Sequence, residues 1–310
     1  MMVKHKRTLR IIFAILVTVG IFILLFQRIS FNSVLNTMKN ANLKIVILTS
    51  LISLISNTLI VSYRWKLILQ ELNCSISWKE ALFIKMGSRI LPFKTNEASR
   101  VLYLRRLKEI PYSKAIFSVV SEYLLSGLAL ICFILVGVVF YCCRIKAFSK
   151  SSVATYLNYT KFLLLAGIAN IDRACRKRFW DRVWGLFRDY SGKFKGLLKN
   201  RKIIFISFLY WGFDLLNVYL LSLAVNNPLP LFGILLFMPI VIFAGGIPIS
   251  VGGLGTREVT LIFLFSSYGS LEILLSISLL YYFIEQLFPN LVSVGFSGMF
   301  LNKVIWKDLN

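Results

Sequence analysis

The chain has 310 residues, of which 57% are hydrophobic and 15% aromatic, and its formal net charge is +23. Several apolar runs reach the roughly 18 to 20 residues that a membrane-spanning helix needs, so the composition predicts an all-α polytopic membrane protein and excludes a soluble enzyme. The charge does not indicate nucleic-acid binding, because 22 of the 36 lysines and arginines fall in residues 64–114 and 172–202, between apolar segments, as in basic cytoplasmic loops.

Spanning segments can be placed along the chain from its apolar runs. We expect about six spanning helices and two interrupted segments. The expected spans are 10–27, 43–63, 115–141, 152–171, 203–225 and 271–300, and the interrupted segments are 80–108 and 230–268. A cytoplasmic N-terminus puts 28 of the 36 basic residues inside, including Lys303 and Lys307. The sequence therefore predicts one membrane domain over 1–310, multi-pass in the cell inner membrane, with both termini cytoplasmic.

Residues 172–202 combine eleven basic side chains with an apolar stripe at helical spacing that includes Trp180, Trp184 and Phe187. This pattern is typical of an amphipathic helix that lies on an anionic membrane surface. A basic connector that packs partly on the protein has the same pattern. Either interpretation places this segment on the cytoplasmic face.

The two interrupted segments have the same order of sequence features. In each, apolar residues lead to a proline, Pro92 or Pro248, and a polar or glycine-rich turn precedes the next helix. Each turn is followed by an acidic and a basic residue, Glu97 with Arg100 and Arg257 with Glu258. Proline ends a helix, and the exposed N–H groups of the following helix attract anions. Matching breaks in two halves of a membrane protein indicate a central substrate site and a possible inverted repeat.

The same residues resemble a known family. The run 248–258, Pro-x-Ser-x-Gly-Gly-Leu-Gly-x-Arg-Glu, is similar to the motif of the lysylphosphatidylglycerol synthase transmembrane-region family, the flippase-like membrane domain. Arg64-Trp65, Leu91-Pro92 and Glu97-x-x-Arg100 resemble its other landmark. The resemblance spans about residues 10 to 303 and implies re-entrant elements and the movement or handling of lipids or lipid-linked glycans. It departs at Tyr123, after Glu122, where a basic residue is expected.

The resemblance and the breaks together predict binding of a lipid phosphate. The predicted site residues are Arg257, Glu258, Arg100, Glu97, Gly252, Gly253, Gly255, Pro248 and Pro92. The two Arg–Glu pairs could instead be structural ion pairs that hold the broken helices, but charged pairs beside helix starts in two matching breaks favour a binding role. Asp214, Glu122 and Glu285 also fall in apolar segments, where they could relay protons or pair with neighbouring cations. Trp65 and Tyr281 are interpreted as anchors at the membrane interface.

The side-chain inventory argues against catalysis. The single histidine, His5, lies in the N-terminal tail and argues against His-based triads and metal sites, and the five cysteines show no paired metal-ligand spacing, so we expect neither a metal nor a cofactor. The chain has no Asp-x-Asp motif, and we expect no appended aminoacyl-transferase domain of the kind that some family members carry, so enzymatic activity is the less favoured interpretation. The leading hypothesis is a translocator or handler of an anionic phospholipid or lipid-linked glycan. The alternatives are a membrane partner of a separate lipid synthase or glycosyltransferase, and a membrane glycosyltransferase.

Overall fold

The computed structural model describes residues 2–89, 95–144, 185, 188, 190–246, 250 and 253–305, and this part of the chain is helical and contains no strand. The helices, in chain order, are α1 (Met2–Arg28), α2 (Phe31–Lys39), α3 (Leu43–Ile55), α4 (Val61–Glu71), α5 (Trp78–Ser88), α6 (Thr95–Lys108), α7 (Tyr112–Arg144), α8 (Arg201–Ala224), α9 (Leu231–Gly246), α10 (Thr256–Phe265), α11 (Leu271–Tyr282) and α12 (Phe288–Ile305). Two short π-helical turns, Ser56–Ile60 and Phe283–Leu287, join α3 to α4 and α11 to α12. The predicted all-α fold class is confirmed.

Four helices in the described part of the chain are long and apolar enough to cross a membrane. They are Leu43–Glu71, Tyr112–Tyr141, Arg201–Ala224 and Leu271–Asn302. The bent pair Ile15–Arg28 and Phe31–Lys39, with 88° between its helices, counts as a fifth if it forms one span. A multi-pass membrane protein is thus confirmed, and four or five of the about six predicted spans fall in the described part of the chain. The segment 152–171 lies outside the described residues.

Both predicted breaks occur between helices. The first separates α5 from α6 and the second separates α9 from α10. The helix after the first break, α6, is polar and ends with Arg105, Arg106 and Lys108. Pro92 and Pro248 lie outside the described residues.

Polar side chains fix where several helices begin. Ser77 accepts a hydrogen bond from the Glu80 N–H at 3.2 Å at the start of α5. Asn200 accepts from the Lys202 N–H at 3.1 Å before α8, and Asn42 accepts from the Lys44 N–H at 3.1 Å before α3. These side chains satisfy N–H groups that have no partner within the helix.

The chain divides into two compact units. The first unit comprises residues 1–46, 131–175 and 218–281, and the second comprises 47–130, 176–217 and 282–310. The second unit contains α4, α5, α6 and α12, and its core is built around the fully buried Trp65. Other buried members of this core are Ile68, Leu69, Ile84, Leu104, Phe117, Leu197 and Phe300.

The described end of the basic segment packs on this core. Residues 190–199 are helical, Leu197 is fully buried, and Tyr190 and Phe194 lie against the core residues. Tyr190 stacks on Phe117 with ring centroids 4.7 Å apart. This end matches the interpretation as a basic connector that packs partly on the protein, while most of 172–189 lies outside the described residues.

Close packing of α5 on α12 depends on Gly87. A Cβ atom added to Gly87 would lie 2.6 Å from Phe300 Cγ. We therefore expect Gly87→Ala to lower the free energy of unfolding by about 1–3 kcal/mol, the usual cost of overpacking. Thermal unfolding in detergent micelles measures this change. The matched control is Gly127→Ala in α7, where the added Cβ meets nothing within 4 Å, and equal unfolding temperatures for the two variants would contradict the prediction.

Candidate functional site

A buried carboxylate in the second unit is surrounded by three cations. Glu122, on α7, pairs through Oε1 with Arg64 Nη2 at 3.2 Å and with Lys85 Nζ at 2.5 Å. Its Oε2 pairs with Arg100 Nη1 at 3.0 Å. Glu122 is 6% exposed and Arg64 and Arg100 are 3% and 4% exposed, so these ion pairs are shielded from solvent. Charges are buried at such a position only when they are paired.

Aromatic rings complete this cation cluster (Arg64, Lys85, Arg100 and Glu122). The Trp65 ring centroid lies 5.6 Å from Lys85 Nζ and 5.4 Å from Arg100 Cζ. The Tyr210 ring lies 5.2 Å from Arg64 Cζ. Trp65 also donates a hydrogen bond from Nε1 to Ser118 Oγ at 3.3 Å. The interpretation of Trp65 as an interface anchor is therefore wrong, because its ring is fully buried among charged groups.

The charges of this region do not cancel. Glu97, one turn before Arg100 on α6, accepts a hydrogen bond from Tyr123 and adds a second carboxylate. Three cations and two carboxylates leave an excess of one positive charge. In addition, Nε and Nη1 of Arg64 are buried and donate to none of the described residues. A buried donor without an acceptor costs about 1–3 kcal/mol, so one more anion would stabilise this region.

A second polar group lies in the same unit at the two π-helical turns. Glu285, 3% exposed, accepts hydrogen bonds from Asn57 Nδ2 and Asn217 Nδ2, each at 2.6 Å. Arg89, at the end of α5, donates to the Asn57 main-chain oxygen at 3.0 Å and to Asn290 Oδ1 at 2.9 Å. π-Helical turns interrupt regular helix bonding and are frequent at functional sites.

The first unit contains the second predicted motif. Arg257 and Glu258 open α10 and are 7% and 0% exposed. The Glu258 carboxylate accepts from the Gly255 N–H at 2.5 Å, which places an acidic group on the first turn of the helix. The Arg257 guanidinium lies over the Tyr281 ring, with Cζ 5.4 Å from the centroid. Tyr281 is 3% exposed, so its interpretation as an interface anchor is also wrong.

Three glycines shape the turn before α10. Gly253 and Gly255 have φ of +80° and +93°, a conformation that favours glycine. Gly245, at the end of α9, lies against the Arg257 side chain, and a Cβ atom there would be 2.9 Å from Arg257 Nε. The glycine-rich run therefore brings α9 close enough to hold the arginine.

The predicted site residues are divided between the units. Arg100, Glu97, Glu122, Asp214 and Glu285 lie in the second unit. Arg257, Glu258, Gly253 and Gly255 lie in the first, and Gly252 is outside the described residues. The ion-pair partner of Arg100 is Glu122, which differs from the local pairing with Glu97 considered above.

Sequence reasoning did not identify Lys85 or the role of Arg64. Both lie in ordinary helical sequence, and only the packing of α4, α5 and α7 brings them to Glu122. The signals available were the acidic residue in an apolar span, because a buried carboxylate needs cationic partners, and the family resemblance at Arg64-Trp65.

Comparison with known proteins agrees with the fold. A family model described as the lysylphosphatidylglycerol synthase TM region matches residues 11–293. A UPF0104 membrane protein of Methanocaldococcus jannaschii is 25% identical over 269 residues, which cover 77% of this chain and 80% of that protein. The resemblance seen in the 248–258 motif is confirmed.

Proposed function

The chain belongs to the lysylphosphatidylglycerol synthase TM region family. From that membership we propose that it binds a phospholipid or lipid-linked glycan and moves it across the membrane or handles it within the membrane. The family match supports a role connected with membrane lipids. The transport step is our proposal, as is binding of the lipid phosphate by buried arginines.

The observation that carries the proposal is the cation cluster around Glu122. Together with Glu97, the cluster carries an excess of one positive charge, which one phosphodiester anion would neutralise. The Nε and Nη1 donors of Arg64, which meet no acceptor among the described residues, can each donate a hydrogen bond to an added anion. We propose that Arg64 and Arg100 hold the lipid phosphate while Glu122 keeps their side chains in place.

The first unit contains another buried arginine that follows a helix break. Arg257 is buried at the N-terminal turn of α10, where helix N–H groups favour an anion. We propose that it contacts the same class of lipid headgroup, and that Gly253 and Gly255 let the turn approach the headgroup closely.

A lipid-translocation assay tests this function. The protein is reconstituted in liposomes that contain a fluorescent anionic phospholipid, and a membrane-impermeant quencher reports how much label crosses. We expect Arg64→Gln and Arg100→Gln each to slow translocation about 10- to 100-fold, the effect of losing a charged hydrogen bond of about 1.5–3 kcal/mol. Arg257→Gln is also expected to slow lipid translocation.

The matched control is Arg105→Gln, because Arg105 lies on the same helix as Arg100 and is exposed. It should translocate lipid at the wild-type rate. Wild-type rates in folded Arg64→Gln and Arg100→Gln would overturn the site. A wild-type protein that moves no lipid but co-purifies with a lipid synthase would favour the role of a membrane partner.

A further inference from the structure

The two π-helical turns of the second unit meet at one carboxylate. Asn57 lies in the first turn and Glu285 in the second, and Asn57 Nδ2 donates to Glu285 Oε2 at 2.6 Å. Ser53 Oγ donates to the main-chain oxygen of Ile284 at 2.9 Å, which ties α3 to the same turn. Two π-helical turns that both contact the buried carboxylate of Glu285 indicate a functional site and not a packing defect.

The carboxylate of Glu285 is held by neutral donors. Both oxygens accept from side-chain amides, and no lysine or arginine in the described part of the chain forms an ion pair with it. An ionised carboxylate that is 3% exposed and accepts its two shortest hydrogen bonds from neutral amides is costly to keep charged.

The charged groups that face Glu285 come from several helices. Arg89 extends from the end of α5 but gives its hydrogen bonds to oxygens of Asn57, Asn290 and the Glu285 main chain. From α8 come Tyr210, which donates to Asn57 Oδ1 at 3.4 Å, and Asp214 one turn further on. The neighbouring α3 and α12 contribute the neutral Ser53 and Asn290.

Asn217 can serve both protonation states of Glu285. In the structure its Nδ2 donates to Glu285 Oε1, while its Oδ1 is buried and accepts from none of the described residues. Half a turn about the Asn217 Cβ–Cγ bond exchanges these two atoms. The amide oxygen then accepts a hydrogen bond from a protonated Glu285.

We propose that Glu285 is a proton-binding site that acts with the lipid-phosphate site. A hydronium ion delivers the proton: its O–H bond breaks as an O–H bond forms on Glu285 Oε1, a water molecule is left, and release is the reverse. Each uptake raises the local charge by one. This proposal rests on the proposed function for its coupling to lipid, whereas proton binding itself does not depend on that function.

Tyr210 connects this acid to the cation cluster. Its hydroxyl donates to Asn57, which binds Glu285, and its ring faces the guanidinium of Arg64. Protonation of Glu285 removes a negative charge from the residues that connect to Arg64 through Asn57 and Tyr210. It therefore strengthens the binding of an anion at Arg64. By linkage, binding of a phosphate raises the proton affinity of Glu285 by the same factor.

Infrared difference spectroscopy of the full chain in lipid nanodiscs tests proton binding without a transport assay. We expect the carboxylic C=O band of a buried acid to grow as the pH falls, and to be lost in Glu285→Gln, which keeps an amide in the hydrogen-bonded position. Asp214→Asn should retain the band. A band that persists in Glu285→Gln, or its absence from the wild type, would overturn the proposal.

The liposomes described above also test whether proton binding at Glu285 is coupled to lipid translocation. An imposed pH difference should change the rate of translocation of the fluorescent phospholipid in the wild type, and Glu285→Gln should abolish that dependence while still moving lipid. If the Glu285 band titrates and no lipid moves, the proposed function fails and the proton site stands. If lipid moves at the same rate with and without the pH difference, the coupling proposed here fails and the proposed function stands.

Discussion

Glu122→Gln is expected to destabilise the protein by about 3–5 kcal/mol, because it removes the carboxylate that pairs with Arg64, Lys85 and Arg100. Glutamine has nearly the same shape as glutamate, so the loss comes from charge and not from a cavity. Glu97, which lies one turn from Arg100, would then be the remaining carboxylate near these three cations. The unfolding temperature in detergent measures the effect. Added inorganic phosphate should raise it more in the variant than in the wild type, since the variant has the larger excess of positive charge.

An exposed ion pair of the same unit provides the control. Lys108 Nζ lies 2.8 Å from Glu80 Oε1, and the two side chains are 35% and 23% exposed. Glu80→Gln should therefore cost about 1 kcal/mol or less. If Glu122→Gln were as stable as Glu80→Gln, the ion pairs of the cation cluster would not contribute to stability as the distances indicate.

Much of the fold could be predicted because apolar length and proline are local signals. The spans at 43–63, 115–141, 203–225 and 271–300 each correspond to a long helix, with bounds shifted by at most three residues except that the first helix ends at Glu71. The π-helical turns could not be predicted, because the side chains around them bond to partners far along the chain. Ser53, for example, donates to Ile284, 231 residues away.

The candidate site was predictable only in part. Arg100 and Arg257 could be identified because each follows a helix break, which is visible in the sequence. Their partners could not, since Glu122 is 22 residues from Arg100 and Tyr281 is 24 from Arg257. Long-range ion pairs leave no periodic pattern. Trp65 was misinterpreted for the same reason, because a tryptophan beside a basic residue is also typical of the membrane interface.

Gly253→Ala is expected to disrupt the turn that holds Arg257. Alanine at a φ of +80° costs about 1–2 kcal/mol. Its Cβ would also lie 2.9 Å from Gly245 Cα, a backbone atom at the end of α9. Since α9 would have to move away and Gly245 packs on the Arg257 guanidinium, we expect a total loss of about 2–5 kcal/mol and slower lipid translocation. Thermal unfolding and the liposome assay measure the two effects. Gly246→Ala is the matched control, because its Cβ meets nothing within 4 Å, and a Gly253→Ala protein as stable as this control would show that the turn can relax around the added methyl group.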